Sequence, residues 1–234
     1  MINTYFESKL HKSLKEIYAK KYNGKTEQNF NGKICDILTP DNQVIEIQTS
    51  NLGKLYSKLE IMLPNNTVRI VHPIATTKYI ETRTPEGTMI THRKSPKKLS
   101  LQSIFKELTG IWPFLLNKNL TLEILETIIT EERIKTEKPV QLKNKSLRHK
   151  RYWYKQDKRL EKITNTTILK TPQDYLFMLP KQLPEFFSIQ DLKNCGYKTE
   201  ANYMIWVLKK MELIVFSHKK ERKNFFTINS NFLN

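Results

Sequence analysis

The residues best suited to chemistry are two carboxylates set into apolar runs. These are Asp36 in Ile34-Cys35-Asp36-Ile37-Leu38 and Glu46 in Val44-Ile45-Glu46-Ile47-Gln48-Thr49. Side chains alternate faces along a strand, so Ile34, Asp36 and Leu38 share a face, as do Val44, Glu46 and Gln48 on the next strand. If the two strands pair through the short turn at Pro40-Asp41-Asn42, Asp36 can lie beside Glu46. Neighbouring carboxylates repel unless a cation neutralises them. A hard divalent ion suits the role: Mg²⁺ or Mn²⁺ takes one or two carboxylates and completes its shell with water and phosphate oxygens. Glu7 adds a third acid at the edge of an amphipathic stripe, with His11 one turn along.

These side chains need a scaffold to bring them together. Phe6, Leu10, Leu14, Ile17 and Tyr18 recur at helical spacing, which predicts a first helix over 5–22 that carries Glu7 and ends at Asn23-Gly24. Asn31-Gly32 predicts a tight hairpin between two strands. Leu52, Leu55, Leu59 and Met62 predict a second helix, and 67–75 a further strand. The order is helix, three strands, helix, strand, with the last two strands expected as parallel neighbours joined by a right-handed crossover.

Further along, a basic hairpin is expected around Pro85-Glu86-Gly87 and a helix capped by Ser100. The run 120–134 reads as strand or helix, with strand favoured. The densely positive segment 143–162, which interleaves Tyr152, Trp153 and Tyr154, reads as a junction. The last sixty or so residues predict three helices: one from Pro172, one capped by Ser188 and closed by Gly196, and one from Thr199 to Met211. A two-stranded basic wing follows around Lys219, Lys220, Arg222 and Lys223, which is the plan of a winged helix. The expected organisation is therefore a domain over 1–135, a basic linker over 136–170 and a nucleic-acid-binding domain over 171–234.

The acids and their element order resemble the PD-(D/E)XK nuclease superfamily over roughly Tyr5 to Ala75. The resemblance implies an α/β fold with a restriction-endonuclease-like core and mixed sheet, here followed by the winged helix. Glu7 matches the helix acid, Asp36 the strand aspartate, and Glu46-Ile47-Gln48 the E-x-K position. It implies metal ligation by Asp36, Glu46, the Ile47 carbonyl and Glu7, with Gln48 positioning the attacking water. Cys35 stands where proline is common, and Gln48 where lysine is usual, so an amide without charge replaces an ammonium. The layout is also similar to a bacterial family carrying a V-E-I-Q-T motif, here Ile45-Glu46-Ile47-Gln48-Thr49, ahead of a C-terminal winged helix.

A formal net charge of +17 and an isoelectric point near 9.7 favour a polyanionic partner, DNA above all. Lysine-rich codon bias is the competing source of that charge. The face of the last helix left by its apolar stripe holds Thr199, Asn202, Tyr203, Trp206 and Lys210, suited either to a DNA groove or to packing on the rest of the chain. Arg93, Lys94, Lys97, Lys98, Arg148, Arg151 and Tyr152 extend the basic track, or form a solvated face. The aromatic segment could stack on unpaired bases or anchor one domain on another.

Cys35 and Cys195 fit no zinc spacing and read as free thiols, and the five histidines share no ligand spacing. No signal peptide, membrane span or Walker glycine loop is legible, so the chain is expected in the cytoplasm and without ATP. The composite expectation is a Mg²⁺- or Mn²⁺-dependent DNA endonuclease. Its rivals are an inactive DNA-binding regulator on the same scaffold and a structured-RNA binder or ribonuclease. A homodimer is left open.

Overall fold

The structure, a computed structural model, describes residues 7–30, 32–141 and 150–232. It is a mixed α/β arrangement built on a seven-stranded mixed sheet. Ser8 opens helix α1 (Lys9–Lys21) by accepting the His11 N–H on its side chain, and Asn23 closes the turn beyond it with φ of 48°. Glu7 therefore sits ahead of the helix, not on it, because the serine cap holds the chain extended at residue 8.

Strands β1 (Lys25–Phe30) and β2 (Lys33–Leu38) form the expected hairpin, with Gly32 at φ +74°. Asn31 lies outside the described residues. Strand β3 (Val44–Ile47) pairs antiparallel with β2 through Ile37↔Ile45 and Leu38↔Val44. A 3₁₀ turn over Leu52–Leu55 leads into α2 (Tyr56–Met62) and then β4 (Val68–Arg83), which runs parallel to β3. Helix α1 covers one face of the sheet through Leu10, Leu14 and Tyr18 on Ile37, Ile45, Ile47 and Val71. The 3₁₀ turn and helix α2 cover the other through Leu55, Leu59 and Met62 on Val44, Val68 and Ile70. Each fully buried aliphatic side chain in these layers contributes about 1.5–3 kcal/mol.

Strand β4 changes neighbours along its length. Its first residues pair with β3 as far as Val71, and from Tyr79 the same strand pairs with β5 (Met89–Lys94) across a turn in which Gly87 has φ +95°. Its other side pairs throughout with β6 (Leu120–Gln141), in parallel. The 120–134 run is thus strand.

The expected linker over 136–170 is corrected by the structure. Its described part is the end of β6 and strand β7 (Lys150–Leu169), antiparallel to β6 and integral to the sheet. The physical reason is charge matching across the ladder. Glu132 of β6 is nearly buried and receives Arg159 of β7 at 2.8 Å and Lys9 of α1 at 2.8 Å. Burying an acid without such partners would be costly, so part of the positive charge on β7 serves the sheet.

Beyond β7 come α4 (Pro172–Leu176), α5 (Ile189–Asn194) and α6 (Ala201–Lys210), followed by the antiparallel pair β8 (Ile214–Lys220) and β9 (Lys223–Ile228). Thr171 with Asp174 and Ser188 with Asp191 form capping boxes on α4 and α5. Tyr175, Phe187, Leu192, Met204 and Leu208 join the same apolar cluster as α2 and as Phe105 of α3 (Ile104–Leu108). Among the described residues no helix is long and apolar enough to cross a membrane.

The turn after β3 is held against the loop after α3 by backbone contact. A Cβ on Gly110 would meet the Cα and N of Gly53 at 2.7 and 2.8 Å, with no side chain there to yield. Gly110→Ala is therefore expected to lower stability by about 1–3 kcal/mol, as overpacking does. A urea midpoint equal to wild type would contradict this contact.

Candidate functional site

The ladder between β2 and β3 stops at Ile37↔Ile45, and the next pair outward would be Asp36 with Glu46. There the strands part, and Asp36 Oδ2 accepts the backbone N–H of Ile47 at 2.8 Å. Asp36 also faces Nε2 of His11 at 3.3 Å, and the other ring nitrogen of His11 meets the carboxylate of Glu7. Glu7 in turn pairs with Lys15 at 2.8 Å, and Lys15 also holds Glu27 at 2.9 Å. Glu7, His11 and Asp36 thus form a chain of contacts on the α1 side.

Glu46 belongs to the α2 side and is almost wholly buried. Lys58 of α2 donates to both of its carboxylate oxygens at 2.8 Å and to the carbonyl of Ile34 at 2.7 Å. Sequence reasoning missed this lysine. Its signal was a cation three residues after Leu55 and four before Met62, on the edge of the apolar stripe of α2. Gln48 lies elsewhere: its amide donates to the carbonyls of Ser50 at 2.5 Å and Asn51 at 3.1 Å, bracing the turn that follows β3. The ammonium absent at position 48 is supplied to Glu46 from the helix instead.

The electrostatics follow from this geometry. Burial, then the charge of Asp36, pushes Glu46 up to about 7 against the pull of Lys58. For Asp36 burial also pushes upward, but His11 and the Ile47 N–H outweigh it and hold the carboxyl below its ordinary value. Burial lowers His11, yet Asp36 and Glu7 together raise it above the usual imidazole value. Glu7 is likewise held low, Lys15 and His11 overcoming desolvation.

The four expected ligands are therefore only partly brought together. Asp36 takes the Ile47 N–H and its charge acts on Glu46, whereas Glu7 reaches Asp36 through His11 and shares no partner with Glu46. Among the described residues, no group of three or more His, Cys, Asp or Glu side chains is arranged to hold a metal ion. The donors present, two carboxylates and backbone oxygen, are the hard set that Mg²⁺ accepts, with Lys58 and His11 now holding those oxygens.

The basic residues fall into several places. Arg93 and Lys94 are exposed on β5, with Lys97 and Lys98 exposed in the loop beyond it. Arg151 and Tyr152 are exposed near the start of β7, while the neighbouring Trp153 lies 3.6 Å beneath the guanidinium of Arg133. Arg148 lies outside the described residues. Lys219, Lys220, Arg222 and Lys223 are exposed at the tip of the β8–β9 hairpin. Thr199, just ahead of α6, and Asn202 and Tyr203 on it border a cleft that Lys97 also lines. Trp206 instead meets Trp112 edge-on at 6.3 Å, and the ammonium of Lys210 lies 5.2 Å from the Trp112 ring. This half of the helix face is thus partly spent on contact within the chain.

The family described as "Domain of unknown function (DUF8091)" matches residues 8–170. The chain belongs to the DUF8091 family. Asp36, Glu46 and Lys58 lie inside the DUF8091 match; Glu7 and the α4–β9 segment lie outside it. An "Uncharacterized protein" of Treponema pallidum (strain Nichols) is 29% identical over 229 residues, covering 96% of this chain and 86% of that protein. No solved structure matches the chain.

A pH dependence of stability follows for this DUF8091 protein. Glu46 and His11 have folded-state values above their ordinary ones, so their contributions are present at low pH and lost as pH rises through the folded values. Asp36 and Glu7 act oppositely, with contributions lost on acidification below the carboxylate range. Urea denaturation at about pH 5.5 and about pH 8 should show a fall in stability that shrinks in Glu46→Gln. An undiminished fall in that variant would remove Glu46 as its source.

Proposed function

We propose that this protein is a metal-dependent DNA endonuclease with a restriction-endonuclease-like core, and that α4 to β9 form a winged helix supplying affinity for DNA. The observation that carries the reading is the pair of carboxylates, Asp36 and Glu46, set at parted strand ends with the Lys58 ammonium 2.8 Å from Glu46. Mg²⁺ or Mn²⁺ would supply Lewis-acid polarisation of a phosphoryl oxygen. Asp36, Glu46 and the Ile47 carbonyl would hold it. Lys58, released from Glu46, would stand ready to offset charge on the phosphate, the role that an uncharged Gln48 does not fill. His11 keeps Asp36 ionised and oriented, and Glu7 acts through His11. The exposed basic residues of β5, β7 and the β8–β9 tip supply phosphate contacts along the approach.

A second reading has its own observation. The acids are already neutralised by Lys58, His11 and Lys15 within the fold, as a scaffold that has lost chemistry and kept DNA binding would require. Metal titration separates the two. A proton shared near pH 7 by Glu46 must leave when a cation binds, so Mn²⁺ affinity should rise about tenfold between about pH 6 and about pH 8. With Mn²⁺ present, plasmid DNA should be cleaved by wild type and left intact by Glu46→Ala, with DNA binding retained. Unchanged cleavage in that variant would refute the assignment of Glu46, and absence of metal binding by wild type would favour the inactive scaffold. Competition of duplex RNA against duplex DNA at fixed salt tests the preference for DNA.

A further inference from the structure

A second site lies apart from the acidic centre. Between Val71, the last β4 residue paired with β3, and Tyr79, the first paired with β5, one edge of β4 is without a strand, and a cleft of about 780 Å³ opens there. Its walls are His72 to Ala75, the Thr49-Ser50 turn, α3 and the start of α6, and neither Asp36 nor Glu46 lines it. Its size falls within the range of small-molecule sites, roughly 300–1,000 Å³.

The lining is divided in character. Leu10, Pro73, Ile74, Ala75 and Ile129 make an apolar floor, with the Tyr203 ring at the margin. Four lysines, Lys97, Lys106, Lys158 and Lys198, border it, and none makes an ion pair with a described carboxylate. The two acids of the lining are turned to backbone: Glu107 accepts the Leu52 N–H at 3.1 Å, and Glu200 the Thr199 N–H at 3.2 Å.

His72 supplies a directed polar group. It is only 6% exposed, and its Nδ1 lies 2.7 Å from the carbonyl of Gln48, so Nδ1 must carry the hydrogen and donate. Nε2 is then an acceptor, and it has no bond to any described residue. Thr136 Oγ1 is the one described buried side-chain atom without a partner, so His72 Nε2 is not sealed inside the protein and opens on the cleft that His72 lines. Burial holds this imidazole below its ordinary value, disfavouring the charged form.

We propose that the cleft binds a nucleoside monophosphate unit, with the base on the apolar floor beside Tyr203, an N–H or hydroxyl donated to His72 Nε2, and the phosphate met by Lys106, Lys158 and Lys198. Inorganic phosphate would leave the floor uncovered. An aliphatic anion would leave the buried acceptor unpaired, which is costly. The unit comes either from a free nucleotide or from the end of a nucleic-acid strand, and only the latter source rests on the nuclease reading.

Calorimetric titration of the full chain with 2′-deoxyadenosine 5′-monophosphate tests the site. Binding should be roughly tenfold or more tighter than that of inorganic phosphate or of deoxyadenosine, since hydrogen bonds to charged groups and the apolar contact both add. The double variant Lys106→Ala/Lys158→Ala, altered only in lysines of the cleft border, should lose the advantage over deoxyadenosine. Tyr203→Ala should lose the advantage over phosphate. No binding by wild type, or affinities that the variants leave unchanged, would overturn the proposal. A 5′-phosphorylated single-stranded oligonucleotide that displaces the nucleotide identifies a strand end, and failure to displace identifies a free nucleotide; either supports the site. Glu46→Ala should retain nucleotide binding. A protein that binds the nucleotide and never cleaves DNA thus loses only the nuclease reading, and one that cleaves without binding it loses only the cleft.

Discussion

Two carboxylates cannot share the buried end of a sheet without positive charge beside them. Asp36 and Glu46 impose that constraint on everything around β2 and β3. The cations come from opposite sides: Lys58 from α2, His11 from α1, with Lys15 behind it on Glu7. Both helices are consequently fixed twice, by apolar stripes on the sheet and by charges at its end. Removing Glu46 or Asp36 alone would strand the opposing cations, so the acids and their partners behave as a unit.

The same economy of charge runs through the long strands. Glu123 lies between Tyr18 and Arg69 at 2.5 and 2.6 Å, and Glu131 takes Lys78 and Arg133. Together with Glu132, these buried acids on β6 draw cations from α1, β4 and β7 onto the sheet. The large positive excess of the chain is therefore unevenly available. On β7 part of it is internal, whereas on β5 and at the hairpin tip it is exposed, and further lysines line the cleft.

Local patterns made much of this architecture legible. Helical spacing in 10–18 and 52–62, Asn-Gly at 31–32, and the capping pair Ser188/Asp191 each act within a few residues, so the sequence carries their signal directly. The antiparallel register that brings Asp36 and Glu46 to neighbouring positions was readable from the short turn, but the ladder ends one pair short of them, at Ile37↔Ile45, and the two acids take partners from different helices. What was hidden depends on distant partners. The basic run in β7 resembled a linker because its neutralising acids, Glu132 and Glu81, lie on other strands. Lys58 carries no local signal of its partner, since only the connection from β3 through α2 to the parallel β4 brings it to Glu46. Glu7 left the helix through a choice of cap one residue away, which periodicity alone does not resolve.

The exchange of neighbours along β4 has an architectural consequence. A strand flanked by one partner and then by another leaves a gap whose borders are loops, the one after β3 and the one after β5, while the opposite side stays locked to β6. Insertions or deletions in either loop would reshape what the recess admits and leave the ladder intact. The shape of the recess and the rigidity of the sheet are thus set by separate stretches of the polypeptide.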